Sequence, residues 1–357
     1  MRRWYWLLGC GTFVDMDNGS AGLMLATVRV ARGLTQSALA KEAGVSQATV
    51  SKVESGVMSL PDAQWDRLAE VLDAPSGLLS QPVGFAGPPA TAFHRKRASL
   101  PVSVSTQLRA RLDLVHLQLA GLVGDRVPVE ISRDPLDDDG YTSPEEVAQR
   151  VRSALRIAPG PIGDLIAVIE AAGVVVVDAD LGSVKVDALM SWPPGGRPVV
   201  LFGEHAPGDR QRFSLAHELG HAVMHEVPTA AQESEADRFA AELLMPRADI
   251  TGSLGDVSMA ALARLKRVWG VSMAALLRRA RDLDQISDYQ YRQGSIELSR
   301  AGYRTREPVE VAVGRPRLLG DCLAAEMAAG VTVEDLAAAA WMTEPSFRAT
   351  YLQGELR

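Results

Sequence analysis

The chain has 357 residues, 47% of them hydrophobic and 23% charged, with a formal net charge of −7. That length holds two or three domains with sizeable cores, and the acidic balance excludes global attraction to nucleic acid or anionic membrane, so any DNA binding must come from a local face. Cys10 and Cys322 are the only cysteines and lie far apart, which offers no disulfide framework and suits a reducing cytoplasm; no apolar run approaches the ~20 residues of a membrane span.

At the front, "MRRWYWLLGCG" carries a lipoprotein-like box at Leu7 to Cys10. Its apolar core, Trp4 to Leu8, is shorter than the ~7–15 residues of a signal segment. Residues 1–22 are therefore expected to be a disordered leader, or sequence upstream of a start at Met16 or Met24, and the product is expected in the cytoplasm. Residues 23–81 read as short helices separated by Gly33, Gly44 and Gly56, with Thr35 and Ser46 each placed to cap a helix. The stretch 82–106 is rich in proline and glycine, carries the basic cluster His94-Arg95-Lys96-Arg97, and reads as a linker. Leu108, Leu112, Val115 and Leu119 recur at helical spacing. "RDPLDDDGYTS" is a loop, and "SPEEVAQRVRSAL" follows with Ser143 as cap and Glu146 three residues later.

A mixed region comes next, with a helix in "IGDLIAVIEAAG", a strand in "VVVVD", and two further strand candidates, "VKVDALMSW" and "RPVVLFGE", around "PPGGR". The motif helix "RFSLAHELGHAVMHE" and a second helix, "ESEADRFAAELLM", stopped by Pro246, complete it. The remainder reads as helical and rich in arginine. Expected boundaries are thus 107–290 for this domain with its preceding helices and 291–357 for a mainly helical C-terminal region. The fold class is multidomain α+β.

On a helix, His217 and His221 share a face at i and i+4, so both imidazoles can turn toward one point. Glu218 lies beside that point, able to take a proton from a metal-bound water, which zinc brings to a pKa near 7. A catalytic site needs a third protein ligand, and the candidates are His225, Glu226, Glu233, Glu235 and Asp237. His225 and Glu226 lie about 12 Å or more along the axis from His217, too far for one ion. The natural division makes Glu233 the ligand and Asp237 the group that orients an imidazole through its free N–H; Glu235 is the alternative ligand. Gly220 inside the helix costs ~1 kcal/mol of propensity, which signals close packing or substrate approach.

"RFSLAHELGHAVMH" followed by "ESEADRFAAELLMP" resembles the ImmA/IrrE family of zinc metallopeptidases, over roughly residues 140–290. The resemblance implies a gluzincin-like fold, Zn2+ held by His217, His221 and Glu233, and Glu218 as general base; the family often has Asn at the place of Asp237. It also implies a protein substrate of the helix-turn-helix repressor type. An exposed strand within "RPVVLFGEH" could take an extended substrate by strand addition; a buried core strand is the equal alternative.

Residues 23–79 resemble the lambda-repressor/Cro helix-turn-helix, most closely in "LTQSALAKEAGVSQATVSKVESG". That implies double-stranded DNA as partner, with Gln47, Ala48, Thr49, Ser51 and Lys52 near the major groove and Gln36 near a phosphate. The combined expectation is a cytoplasmic zinc endopeptidase fused to a DNA-binding domain, with no membrane partner and an oligomeric state the sequence does not fix. The alternative is a regulator whose metallopeptidase-like domain senses a ligand or partner without cleaving.

Overall fold

A computed structural model of the chain describes residues 18–81, 101–136, 142–181, 186–203, 206–227 and 229–352. Residues 1–17 of the expected leader, 82–100 of the expected linker with its basic cluster, and part of the 133–143 loop lie outside the described residues. The chain divides into two compact units. Among the described residues, the first holds 18–81, 106–122 and 329–352, and the second holds 101–105 and 123–328.

The first unit begins with α1 (Asn18–Ala31), α2 (Gln36–Ala43), α3 (Gln47–Glu54) and α4 (Asp62–Val71). Thr35 and Ser46 cap as expected, their hydroxyls accepting from the Ala38 and Thr49 amides. Gly44 ends α2 in the left-handed region, at φ 71, where a side chain would be strained. Residues 18–22 belong to α1 and not to a leader. A Cβ on Gly22 would stand 2.1 Å from the Val53 carbonyl oxygen, so α1 rests directly on α3 there.

Two boundaries differ from expectation. The helix α5 (Val102–Leu122) starts inside the expected linker, and from residue 106 it packs with the first unit, not with the domain that follows. Gln107 Nε2 and Arg111 Nε donate to the Ala31 carbonyl, and Leu117 joins Leu25, Leu39, Val50, Leu68 and Leu72 in the core. The helices Val333–Ala339 and Glu344–Phe347 also join this unit. Thr343 Oγ1 and Ser346 Oγ donate to Asp73, and a Cβ on Gly121 would meet the Ala339 carbonyl at 1.9 Å. The C-terminal region is therefore split: residues 291–328 pack with the second unit, and only the rest with the first.

The second unit comprises α6 (Pro144–Ala154), α7 (Leu165–Ala171), β1 (Val175–Asp178), β2 (Ala188–Ser191), β3 (Val199–Phe202), α8 (Gly208–Met224) and α9 (Gln232–Leu244). It continues through the short α10 (Arg247–Ile250), α11 (Met259–Trp269), α12 (Met273–Asp282), α13 (Asp288–Arg300) and α14 (Leu318–Ala328). Ser143 and Glu146 form the expected capping box at α6. The sheet runs β1-β3-β2, parallel between β1 and β3 and antiparallel between β2 and β3. The strand 199–202 is thus central and buried at every position, which removes it as the substrate-accepting strand. Its partners β1 and β2 are the two edges. Val176, Val200 and Phe202 of the sheet, Leu215, Leu219 and Val223 of α8, and Phe239 and Leu243 of α9 share one core.

Candidate functional site

The motif helix α8 is buried along most of its length, and two polar ties fix it against the edge strand β2. Asp187, just before β2, accepts from Arg210 and Ser214 of α8. Farther along, the buried Glu218 carboxylate accepts from the Met190 amide at 3.2 Å. That amide points away from β3, so the buried general-base candidate stands beside the outer side of β2.

Gly220 brings α9 onto this helix. A Cβ there would stand 2.8 Å from Phe239 Cδ1 and 3.1 Å from Cγ, so the glycine serves close helix packing. The crossing sets the acidic start of α9 opposite the histidines. His217 Nε2 and His221 Nε2 face each other at 3.1 Å, with Glu233 oxygens 3.4 Å from His221 Nε2 and 3.9 Å from His217 Nε2. One ligand atom from each of the three residues lies within 4.8 Å of the other two. Bonds of about 2.0–2.1 Å at a tetrahedral angle would separate ligand atoms by roughly 3.3–3.4 Å. Two imidazole nitrogens 3.1 Å apart, with Glu233 Oε1 3.4 Å from His221 Nε2 and Oε2 3.9 Å from His217 Nε2, are a donor set that fits one small divalent cation.

The far side of each ring is also engaged. His217 Nδ1 meets Asp237 Oδ1 at 2.9 Å. His221 Nδ1 meets His225 Nδ1 at 2.9 Å, and His225 Nε2 meets Glu235 Oε2 at 3.1 Å. Burial, with His221 and His217 adding to it, pushes the His225 pKa down to about 4, so this ring is neutral at pH 7. Glu233 thus faces the Nε2 pair, while Glu235, the alternative ligand, faces His225.

In the first unit, α3 presents Gln47, Ala48 and Lys52 to solvent, with Thr49, Ser51 and Gln36 half-buried. Gln47 Nε2 donates to Gln36 Oε1, and Gln36 Nε2 donates to Glu54, which also holds Arg29 through two nitrogens. The structure therefore joins Gln36 to Gln47 across the turn and fixes both from behind by a half-buried ion pair.

Residues 169–281, from α7 through most of α12, match the Peptidase_M78 family model, described as an IrrE N-terminal-like domain; residues 25–79 match a helix-turn-helix model. The chain joins an IrrE N-terminal-like, metallopeptidase-type domain to a helix-turn-helix domain. Comparison with curated proteins and with solved structures found no match. In the metallopeptidase-type domain, sequence reasoning set His225 aside on axial distance. That distance does separate it from His217, yet its burial and contacts make it part of the cluster. The readable signal was a third histidine at i+8, with an acidic residue two past Glu233.

Proposed function

We propose that this chain is a cytoplasmic zinc-dependent endopeptidase that regulates transcription by cleaving a repressor of the helix-turn-helix type, and that its own helix-turn-helix binds double-stranded DNA. The observation that carries the catalytic half is the donor set: His217, His221 and Glu233 converge while Glu218, next along α8, accepts from the Met190 amide of β2. Two histidines and a glutamate form the ligand set of zinc peptidases, and zinc bound there would polarise a carbonyl and supply hydroxide near neutral pH. Glu218 then takes the proton of the attacking water and returns it to the leaving amine. Asp237 holds His217 in the tautomer whose Nε2 lone pair would ligate.

A cleft of about 1600 Å3 is lined in part by Asp237 and Arg238 of α9, but not by His217, Glu218, His221 or Glu233, so it does not bear on the substrate. Among the described residues no helix is long and apolar enough to cross a membrane. The test is Glu218→Gln, which removes the base and keeps the ligands. Metal content should persist while cleavage falls by ~10² or more, read by mass spectrometry of lysate peptides after expression of each form. Equal regulation of an identified target by wild type and variant in cells would show that the domain acts by sensing.

A further inference from the structure

The two ligand candidates on α8 are backed in different ways. His217 leans directly on a carboxylate, Asp237, whereas His221 leans on another imidazole. We infer that His225 and Glu235 form a positioning relay, in which the Glu235 carboxylate fixes the tautomer of His225 and, through it, that of His221, directing the His221 Nε2 lone pair toward a metal shared with His217 and Glu233. This rests on the metal-site reading above and extends it by two residues.

With Glu235 as the accepting end, the proton count from Glu235 to His221 has one arrangement. The proton of the 3.1 Å contact to that carboxylate belongs to His225 Nε2. A neutral imidazole carries a single N–H, which leaves His225 Nδ1 as an acceptor. The 2.9 Å contact between the two Nδ1 atoms then takes its proton from His221. The Nε2 lone pair of His221 is thereby left facing His217 Nε2 and Glu233, where a cation needs it. Reversing a tautomer would set two N–H groups, or two lone pairs, against each other between Glu235 and His221; lone pairs face each other only at the Nε2 pair of His217 and His221, the place a cation would take. His225 is well placed to pass the constraint on. It sits at the C-terminal end of α8, where its amide still bonds the His221 carbonyl, so backbone and side chain hold it over the same residue. Its side chain is 3% exposed and that of Glu235 24%, so water competes little for the inner contact.

The spacing has a geometric reason. His217, His221 and His225 form a column one turn apart on α8, and the first turns of α9 set Asp237, Glu233 and Glu235 against it. A carboxylate that reached His221 Nδ1 directly would have to occupy the space His225 fills. The imidazole bridges the gap while keeping the polarity of a carboxylate.

The test uses the full chain and zinc, with affinity measured by competition against a chromophoric chelator. Glu235→Ala should weaken zinc binding about 10–100-fold while one zinc per chain still binds. His225→Ala in that background should add little, because the relay is already broken, whereas Asp237→Ala should add its own loss. As His225→Ala removes a buried ring, a second readout avoids that variant. Long-range 15N–1H correlation on histidine-labelled, zinc-free protein should place the His221 proton on Nδ1 in wild type and move it toward Nε2 in Glu235→Ala. Unchanged tautomer and affinity in Glu235→Ala would overturn the relay. Loss of zinc stoichiometry in Glu235→Ala would overturn it in favour of Glu235 as a ligand. A wild-type chain that binds no zinc would instead sink the metal reading, and the zinc-free tautomer spectrum would still decide the relay.

Discussion

Replacing Gly220 by alanine should separate folding from metal binding. Alanine favours a helix interior over glycine by about 0.8–1.0 kcal/mol, so on α8 alone the change would stabilise. The added Cβ, however, would stand 2.8 Å from Phe239 Cδ1 and 3.2 Å from its Cβ. Carbon atoms rest at about 3.5–4.0 Å, and Phe239 is fully buried with its ring root in the contact. The relief must therefore come from α9 moving by roughly 1 Å, at an overpacking cost of about 1–3 kcal/mol. The two effects nearly offset, leaving stability lower by roughly 0–2 kcal/mol. Zinc tolerates far less, since ligand distances hold to about ±0.2 Å, and Glu233 rides on the displaced helix. Zinc affinity should fall at least ~tenfold while the urea midpoint moves little, and adding Phe239→Leu should recover part of that affinity. A Gly220→Ala chain that binds zinc like wild type and melts later would refute the close crossing as the device that places Glu233.

Two further outcomes follow from buried charge. Lys266 Nζ bonds Asp209 at 2.6 Å and Glu307 at 2.7 Å with 3% of its side chain exposed; Lys266→Ala leaves two buried carboxylates and should cost about 3–5 kcal/mol in urea unfolding. Glu170 has its pKa raised from 4.5 to about 7, chiefly by burial and against the Arg317 and Leu318 amides it accepts from. A folded pKa above the unfolded one means the native state binds the extra proton, so stability should decline as pH rises from about 4.5 to 7. Glu170→Gln should flatten that slope in melts recorded across the range, and an unchanged slope would remove Glu170 as its source.

Local chemistry was legible in the sequence, and long-range assembly was not. Caps at Thr35, Ser46 and Ser143 depend on residues within four positions of each other, and each forms as read. The i, i+4 histidines follow from helix geometry alone. The partner of α5 could not be read that way. Its stripe of Leu108, Leu112 and Leu119 marks a buried face without naming what covers it, and the partners lie both about 75 residues upstream and more than 200 downstream. The strand 199–202 carries four hydrophobic residues in a row, a pattern shared by central and covered strands; only the pairing on both sides decides. His225 escaped because the test applied to it was ligation of one ion, a question about metal distance that says nothing of a contact made behind the ligand.

The same turn occurs twice in the chain and serves two ends. Gly44-Val45-Ser46 puts a left-handed glycine and a serine cap before α3, and Gly270-Val271-Ser272 does so before α12, at φ 71 and φ 65. The helices that follow differ in what they leave open. In α3 the first residue, Gln47, and the sixth, Lys52, are exposed, with Gln47 braced by Gln36. In α12 the first residue, Met273, and the fifth, Leu277, are fully buried; the Met273 amide bonds Glu307, and Leu277 is packed on Gly294 of α13. A groove-reading helix needs its first residues and its N-terminal amides free for bases and phosphates, so α3 is suited to read DNA and α12 is closed to it. The first unit must do this with little charge: over 23–79, Arg29, Arg32, Lys41, Lys52 and Arg67 stand against six acidic residues, leaving one net negative charge. Phosphate contacts should therefore be few and each should count. Gln47→Ala with Lys52→Ala should lose sequence-specific binding in a gel shift, at about 1–3 kcal/mol per base contact, and Lys52→Ala alone should lower the salt slope by about one. Arg278→Ala, at the position in α12 that matches Lys52, should leave both unchanged. A loss there equal to that of Lys52→Ala would mean α12 reads DNA after all.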